Sequence, residues 1–374
     1  MSQTHPLELT RTVVTNVVAE HAIGVDKEGR FPRESIDALT RAGLLGLVSD
    51  TSVGGMGQGI RAAAEVVERL AEDCGSTAMV MCMHYAGATV IEKFGSDAVR
   101  REIAAGKHLS TLAFSEEGSR SQFWAPTGTA KREAKGIKLD AKKSWVTSAN
   151  HATAYVWSSK PLAGSEASSV WLVPRTTPGL SVDRPFDGLG LRGNDSSPVT
   201  AQGVTVPEAN LLGKDGGGFA IMMETVLPIF NAMNAACSVG LMEAAVKRAA
   251  AQASGTRFEH TGTSVADLPT VRAYLAKIRC QTDMARALWQ DTLSALESGR
   301  SDAMLRVLQV KAACGDAAID VLDGAMRVSG GAAFRRDVGV ERYFRDARAA
   351  SIMAPTSDAL YDFIGKAVCG MPLF

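Results

Sequence analysis

With 374 residues, the chain is longer than one ordinary domain and long enough for two or three domains with a sizeable core. Lysine and arginine together number 40, as do aspartate and glutamate, so no charge excess points to nucleic acid or to an anionic membrane surface. A small-molecule partner is therefore expected, with no nucleic acid and no membrane among the binding partners.

The N-terminus and the cysteines give no sign of export or of a metal centre. The N-terminus lacks a basic segment followed by an uninterrupted apolar stretch, and no other segment has the roughly 20 apolar residues of a membrane span. These features predict a cytoplasmic protein. The six cysteines are scattered without a C-x-x-C pair and the histidines show no ligand pairing, so we expect reduced, buried thiols and no metal site.

Three segments with different hydrophobic periods follow one another along the chain. Residues 7 to about 108 have the period of amphipathic helices, as in 60-IRAAAEVVERLAED-73. Short runs rich in β-branched and aromatic residues follow, among them 169-SVWLVPR-175, and predict a β domain. The helical period then returns, and the three- and four-residue spacing of apolar residues over 302–331 predicts the buried face of a long bundle helix.

Common nucleotide-binding and nucleophile motifs are missing from the sequence. The run 213-GKDGGGFA-220 lacks the spacing of a phosphate-binding loop, and there is no G-x-S-x-G motif. His84, in 80-VMCMHYAGA-88, lies on an apolar predicted helix that could line a pocket. A core histidine with satisfied ring nitrogens is the favoured interpretation of His84, and a functional histidine is the alternative.

Four stretches carry a specific pattern, in this order: 111-TLAFSEEGSRSQ-122, 142-KKSWVTSANHA-152, 191-LRGNDSSPVTAQGVTVPEANLLGKDGGGF-219 and 326-MRVSGGAAFRRDVGVERYFRDARAASIMAPTSDAL-360. Together they resemble the acyl-CoA dehydrogenase flavoprotein superfamily. The third is the most specific, because its P-x-x-N-L-L-G signature runs into a glycine-rich helix entry. The resemblance covers essentially the whole chain and implies an α+β fold with an N-terminal α-helical domain (1–109), a middle β-barrel (110–214) and a C-terminal four-helix bundle (215–374).

The resemblance implies FAD as the cofactor. Ser115 matches the residue that contacts the flavin ring, Trp145 the tryptophan beside it, and Thr147 the threonine whose hydroxyl lies near flavin N5. Gly330 and Gly331 match glycines that approach the FAD pyrophosphate of a neighbouring subunit, which implies a homo-oligomer, either a homotetramer or a dimer. The predicted cofactor-binding residues are Phe114, Ser115, Trp145, Thr147, Phe258, Arg327, Gly330, Gly331, Thr356 and Asp358.

The carboxylate with which ordinary members remove the α-proton of an acyl-CoA is missing here. It falls at Ala354, and the alternative position on the first bundle helix falls at about Phe230. The arginine that helps hold the CoA portion falls at about Asn231. The predicted substrate-binding residues are His84, Ser121, Phe230, Asn231 and Ala354, and the remaining candidates for a base are His84, Glu116 and Asp358.

Three functions stay open at this point. Losing a general base costs roughly 100- to 10,000-fold in rate, which favours an FAD-dependent oxidase or monooxygenase acting on an acyl thioester or related small acid with molecular oxygen as acceptor. Oxygen chemistry at the flavin does not demand the missing glutamate. The second hypothesis is an acyl-CoA dehydrogenase or reductase with a relocated base, coupled to an electron-transfer flavoprotein. The third is a catalytically inert flavin-binding paralogue.

Overall fold

The computed structural model describes residues 5–120, 122–164 and 168–373. Its N-terminal part is helical. Helix α5 is buried on almost every side, which explains why its sequence lacks a polar face. The helices of this domain are α1 (Pro6–Val13), α2 (Ala19–Glu28), α3 (Arg33–Arg41), α4 (Ile60–Ala71), α5 (Gly75–Phe94) and α6 (Asp97–Ala104), with a π-helical turn joining α1 to α2.

The middle domain consists of two four-stranded sheets, ordered β1-β4-β5-β8 and β2-β3-β7-β6. The sheets share one apolar core, in which the cross-strand pair Trp157 and Trp171 is fully buried. The domain predicted as a β-barrel is therefore built from two packed sheets. The strands are β1 (Ser110–Ala113), β2 (Thr129–Glu133), β3 (Gly136–Val146), β4 (Ala154–Ser159), β5 (Ser169–Pro174), β6 (Leu180–Val182), β7 (Ser197–Val206) and β8 (Leu211–Leu212).

The C-terminal part is a helical bundle in which α10 packs against α8, α9 and α13. Proline in the first turn of α8 and of α9 sets the start of each helix. Fold class and domain order are thus as the sequence predicts. The helices are α7 (Gly218–Ala220), α8 (Leu227–Gly255), α9 (Pro269–Ser298), α10 (Ala303–Ser329), α11 (Val340–Ala347), α12 (Ala349–Ile352) and α13 (Ser357–Val368), with a π-helical segment before α8.

Two expectations about the bundle change. Besides the predicted positions Leu308 and Ala312, the neighbouring Val307 and Lys311 are also buried, because α10 is surrounded by other helices instead of facing one partner. The helical segment Gly218–Gly255 is long and apolar enough to cross a membrane, contrary to the expectation that no segment is. However, 94% of its most apolar window is buried inside the protein, as in a core helix.

Helix α11 joins the three domains. The Asp346 carboxylate accepts a hydrogen bond from the Leu191 backbone N–H of the middle domain at 2.6 Å. The Arg345 guanidinium forms an ion pair with Asp26 of the N-terminal domain, also at 2.6 Å. Burial raises the pKa of Asp346 to about 6. The segment around Leu191, which has a positive φ of 51°, is therefore fixed against the bundle.

Candidate flavin and substrate cleft

A cleft of about 680 Å³ lies between the middle domain, α8 and the segment that follows α11. It brings together seven residues that the sequence singled out from separate motifs, namely Ser115, Glu116, Trp145, Thr147, Phe230, Ala354 and Thr356. Its volume lies within the range of roughly 300–1,000 Å³ that is usual for ligand pockets. The cleft is therefore the candidate functional site.

Trp145 lies on the middle-domain wall of this cleft in an unusual conformation. The ladder between β3 and β7 shifts register between Lys143 and Val146, and Trp145 has a positive φ of 56°. Its side chain is 60% exposed and stacks on Phe186 with ring centroids 4.0 Å apart. A bulge and a strained residue that turn a large ring into a cleft are typical of a binding site, and this ring can stack against a planar aromatic ligand.

Thr147 and Ser115 supply hydroxyl groups on the same wall. The Thr147 hydroxyl is 3.5 Å from that of Ser196, at the limit of a hydrogen bond. The Ser144 N–H donates to the Ser115 carbonyl oxygen at 2.9 Å, which attaches the loop after β1 to strand β3. Phe114 lies behind the wall, buried, and stacks on Phe123.

Glu116 is held in a buried network and is not available as a base. One carboxylate oxygen accepts from Lys143 Nζ at 2.6 Å, and the other accepts from the Thr127 N–H, the Thr127 hydroxyl and the Gly128 N–H. Burial would raise the pKa of Glu116, but the Lys143 ammonium and the Thr127 hydrogen bonds outweigh burial and hold this pKa below its usual value.

His84 is a core residue and does not line the cleft. One ring nitrogen lies 2.9 Å from the Leu45 carbonyl oxygen, and the other accepts from the Ser110 N–H at 3.0 Å. Burial lowers the pKa of His84 to about 4. The alternative of a functional His84 is therefore wrong, and the neighbouring Met83, which the sequence analysis did not single out, lines the cleft instead.

The bundle side of the cleft is apolar at the two positions where the resemblance implies a catalytic carboxylate. Phe230 is 7% exposed and Ala354 is half-buried, and both line the cleft. Asn231 points away, because its amide nitrogen donates to the Val307 carbonyl oxygen at 2.9 Å. Asp358 is exposed in the first turn of α13 and does not line the cleft. Ser121 lies outside the described residues.

A second group of predicted cofactor-binding residues lies outside the cleft of the single chain. Gly330 and Gly331 end α10 at the surface, and a Cβ atom on either would meet nothing within 4 Å. The Arg327 guanidinium lies 4.8 Å from the centre of the Tyr274 ring and is exposed. Phe258 is half-buried in the connection between α8 and α9. The predicted residues thus form two separate groups.

Comparisons with known proteins agree with this geometry. The chain matches the acyl-CoA dehydrogenase N-terminal domain over 2–106, the middle domain over 111–204 and the C-terminal domain over 216–369. It therefore belongs to the acyl-CoA dehydrogenase superfamily.

Individual relatives span nearly the whole chain. Cyclohex-1-ene-1-carbonyl-CoA dehydrogenase of Geobacter metallireducens is 28% identical over 97% of this chain and 96% of its own length. The butyryl-CoA dehydrogenase structure from Megasphaera elsdenii has a TM-score of 0.91 at 23% identity, with 97% of each chain covered. The structure of the prolyl acyl carrier protein oxidase AnaB has a TM-score of 0.88 at 19% identity, covering 98% of this chain and all of its own.

The protein is accordingly an FAD-dependent oxidoreductase, and the cleft fits that cofactor. The Trp145 ring is exposed for stacking, and the buried carboxylate of Glu116 is neutralised by Lys143, so it does not repel an anionic ligand. Bound FAD supplies two-electron oxidation chemistry. Ser115, Trp145, Thr147 and Thr356 are the residues of this chain that would hold the flavin end in the cleft.

Proposed function

We propose that the protein is an oxidase or monooxygenase that uses molecular oxygen and oxidises an acyl thioester or a related small acid. One observation carries the proposal. At the two positions where the resemblance implies a catalytic carboxylate, the cleft presents Ala354 and Phe230. None of the previously considered bases replaces it, because His84 and Glu116 are committed to other partners and Asp358 lies outside.

The apolar wall has a clear chemical role under this proposal. Phe230, Met353 and Ala354 exclude water from the bundle side of the cleft, while Trp145 covers part of the opposite wall. A substrate that is already activated can be oxidised there without a protein carboxylate that removes its α-proton. The fold accommodates such chemistry, since it is shared with the prolyl acyl carrier protein oxidase AnaB.

A dehydrogenase with a relocated base is the second candidate, supported by the name of the Geobacter relative. The described residues that line the cleft include only one further carboxylate, that of Glu117. It is 81% exposed and lies 3.5 Å from Lys142 Nζ, so it is free to move towards a substrate. Under this candidate Glu117 takes the proton, and an electron-transfer flavoprotein accepts the electrons.

We also propose that the active form is a cytoplasmic homo-oligomer. Phe258, Arg327, Gly330 and Gly331 lie apart from the cleft and are accessible in the single chain. Their position suits contact with the FAD of a second copy. A homotetramer or a dimer satisfies this arrangement.

The rate at which oxygen reoxidises the flavin separates the two candidates. FAD-loaded protein is reduced anaerobically with dithionite and mixed with oxygenated buffer in a stopped-flow instrument, with and without a panel of acyl-CoAs. We expect reoxidation within seconds and no flavin bleaching when the oxidised protein meets straight-chain acyl-CoAs. Slow reoxidation together with bleaching by one acyl-CoA contradicts the proposal and supports the dehydrogenase.

Restoring a glutamate at position 354 is expected not to create an efficient acyl-CoA dehydrogenase. The Ala354→Glu variant regains the carboxylate, but the position that holds CoA in relatives is Asn231, which faces Val307 inside the bundle. Ala354→Gln is the matched control, since it adds the same volume without a charge. Turnover of butyryl-CoA and octanoyl-CoA is measured with an artificial electron acceptor, and efficient turnover by Ala354→Glu alone would falsify this prediction.

A further inference from the structure

Lys311 is a fully buried lysine in the middle of helix α10. Its side chain has 0% exposure, and among the described residues no carboxylate lies within ion-pair distance of it. Burial lowers the pKa of Lys311 to about 7, partly opposed by Asp316, so the charged form is costly at this place. Lysine is rarely buried without a partner, and the reason for its presence lies in its neighbours.

All three N–H donors of the Lys311 ammonium are used by one segment of the chain. Nζ donates to the carbonyl oxygens of Ala350 at 2.8 Å, Met353 at 3.0 Å and Pro355 at 2.8 Å. An ammonium group has three donors and no acceptor. Three carbonyls that follow one another within six residues therefore converge on a single cation.

This segment is the one that presents residue 354 to the cleft. Met353, Ala354 and Thr356 line the cleft, while the carbonyl groups of Met353 and Pro355 accept hydrogen bonds from Lys311. The helix before it, α12, has only four residues and contributes little rigidity of its own.

The packing beside Lys311 is consistent with a docking point for this segment. Gly315, one turn further along α10, faces the segment, and a Cβ there would lie 3.6 Å from that of Ala350, at ordinary van der Waals distance. On the α8 side the Asn234 amide nitrogen lies 3.6 Å from the Met353 sulfur. Thus α8 and α10 both contact the segment.

We propose that Lys311 is a positioning residue that fixes the backbone of residues 350–355 and thereby the bundle wall of the cleft. It acts through carbonyl groups, so it shapes the site whichever side chain occupies position 354. The inference rests on the cleft being the reaction site, but its test reads the backbone directly and does not depend on which oxidation the protein performs.

The test uses the full-length, FAD-loaded Lys311→Met variant, which keeps the length of the side chain and removes its donors. Hydrogen exchange followed by mass spectrometry is measured for peptides covering 350–356 and for peptides of α4, α8 and α9. We expect at least tenfold faster exchange within 350–356, unchanged exchange in α4, and a changed visible absorption spectrum of the bound flavin. Lys277→Met, at an exposed position of α9, is the control and is expected to change none of these.

A merely structural role for Lys311 gives different results. Equal acceleration in α4, α8, α9 and 350–356 means that the lysine holds the whole bundle, and unchanged exchange within 350–356 means that it holds nothing there; either overturns the proposal. If Lys311→Met does not fold, Lys311→Gln, which keeps two N–H donors, is measured in the same way and is expected to accelerate 350–356 selectively but less. Failure of both variants to fold, judged by circular dichroism, also overturns it.

Discussion

The Glu116→Gln variant is expected to lose about 3–5 kcal/mol of free energy of unfolding, since removing one partner of a buried ion pair leaves the other charge uncompensated. The side chains of Glu116 and Lys143 are 1% and 0% exposed, and their charged atoms are 2.6 Å apart. With glutamine at position 116, Lys143 loses its charged partner and keeps only neutral acceptors, among them the Ser158 carbonyl and hydroxyl. Urea unfolding followed by tryptophan fluorescence measures the loss.

The adjacent residue gives a matched control. Glu117 is 81% exposed and forms an ion pair with Lys142 at 3.5 Å, so Glu117→Gln is expected to change the free energy of unfolding by at most about 1 kcal/mol. The double variant Glu116→Gln with Lys143→Met removes both charges and is expected to be more stable than Glu116→Gln alone. Equal effects at positions 116 and 117 would show that the buried pair does not stabilise the fold.

The stabilisation by Glu116 also depends on pH in a defined direction. The pKa of Glu116 in the folded protein lies below its ordinary value of 4.5. A carboxylate with a lowered pKa stabilises the folded state fully above the ordinary pKa and loses this contribution as pH falls through the folded-state pKa. The stability difference between wild type and Glu116→Gln is therefore expected to shrink as pH falls below about 4.5.

The Gly190→Ala variant is expected to lose about 1–3 kcal/mol or more of folding free energy, together with most of its bound FAD. A Cβ at this position would lie 2.3 Å from the Arg345 carbonyl oxygen and 2.6 Å from the Asp346 backbone nitrogen. These backbone atoms of α11 cannot avoid the new Cβ by a side-chain rotation, so the cleft wall around Gly190 would have to move away from α11. Thermal unfolding and the ratio of absorbance at 450 nm to that at 280 nm in the purified variant measure the two effects.

Gly188→Ala is the control for this second variant. Gly188 lines the same cleft two residues earlier, and the nearest atom to a Cβ there is the Gly190 carbonyl oxygen at 3.3 Å. We expect Gly188→Ala to fold and to retain most of its FAD. Loss of FAD from Gly188→Ala with none from Gly190→Ala would contradict the role assigned to the contact with α11.

The fold and seven of the residues that line the cleft could be predicted from the sequence. Trp145, Thr147 and Ser115 lie in contiguous motifs that resemble those of the superfamily, and the structure places all three along the cleft. The position of Ala354 follows in the same way from the segment after α11.

The partners of the polar residues could not be predicted, since they are distant in the sequence. The pair of Glu116 with Lys143 joins a loop to a strand, and His84 is satisfied by backbone atoms of Leu45 and Ser110. Asn231 is next to Phe230 but lies on another face of α8, and a one-residue difference on a helix decides whether a side chain meets the cleft or the bundle. The sequence analysis did not single out Lys311, and the only sign of its role in the sequence is a charged residue within an apolar stretch.

The apolar helix α8 has a consequence for how the protein is made. The segment Gly218–Gly255 is as apolar as a membrane span, and α9 and α10, which cover much of it, follow later in the chain. During translation this segment leaves the ribosome before α9 and α10, when only the preceding parts of the chain, among them α4 and α5, can cover it. A polypeptide that stops before α9 would therefore expose a long apolar surface to chaperones and membranes. A premature stop codon there is expected to yield an aggregating product, not a smaller folded protein.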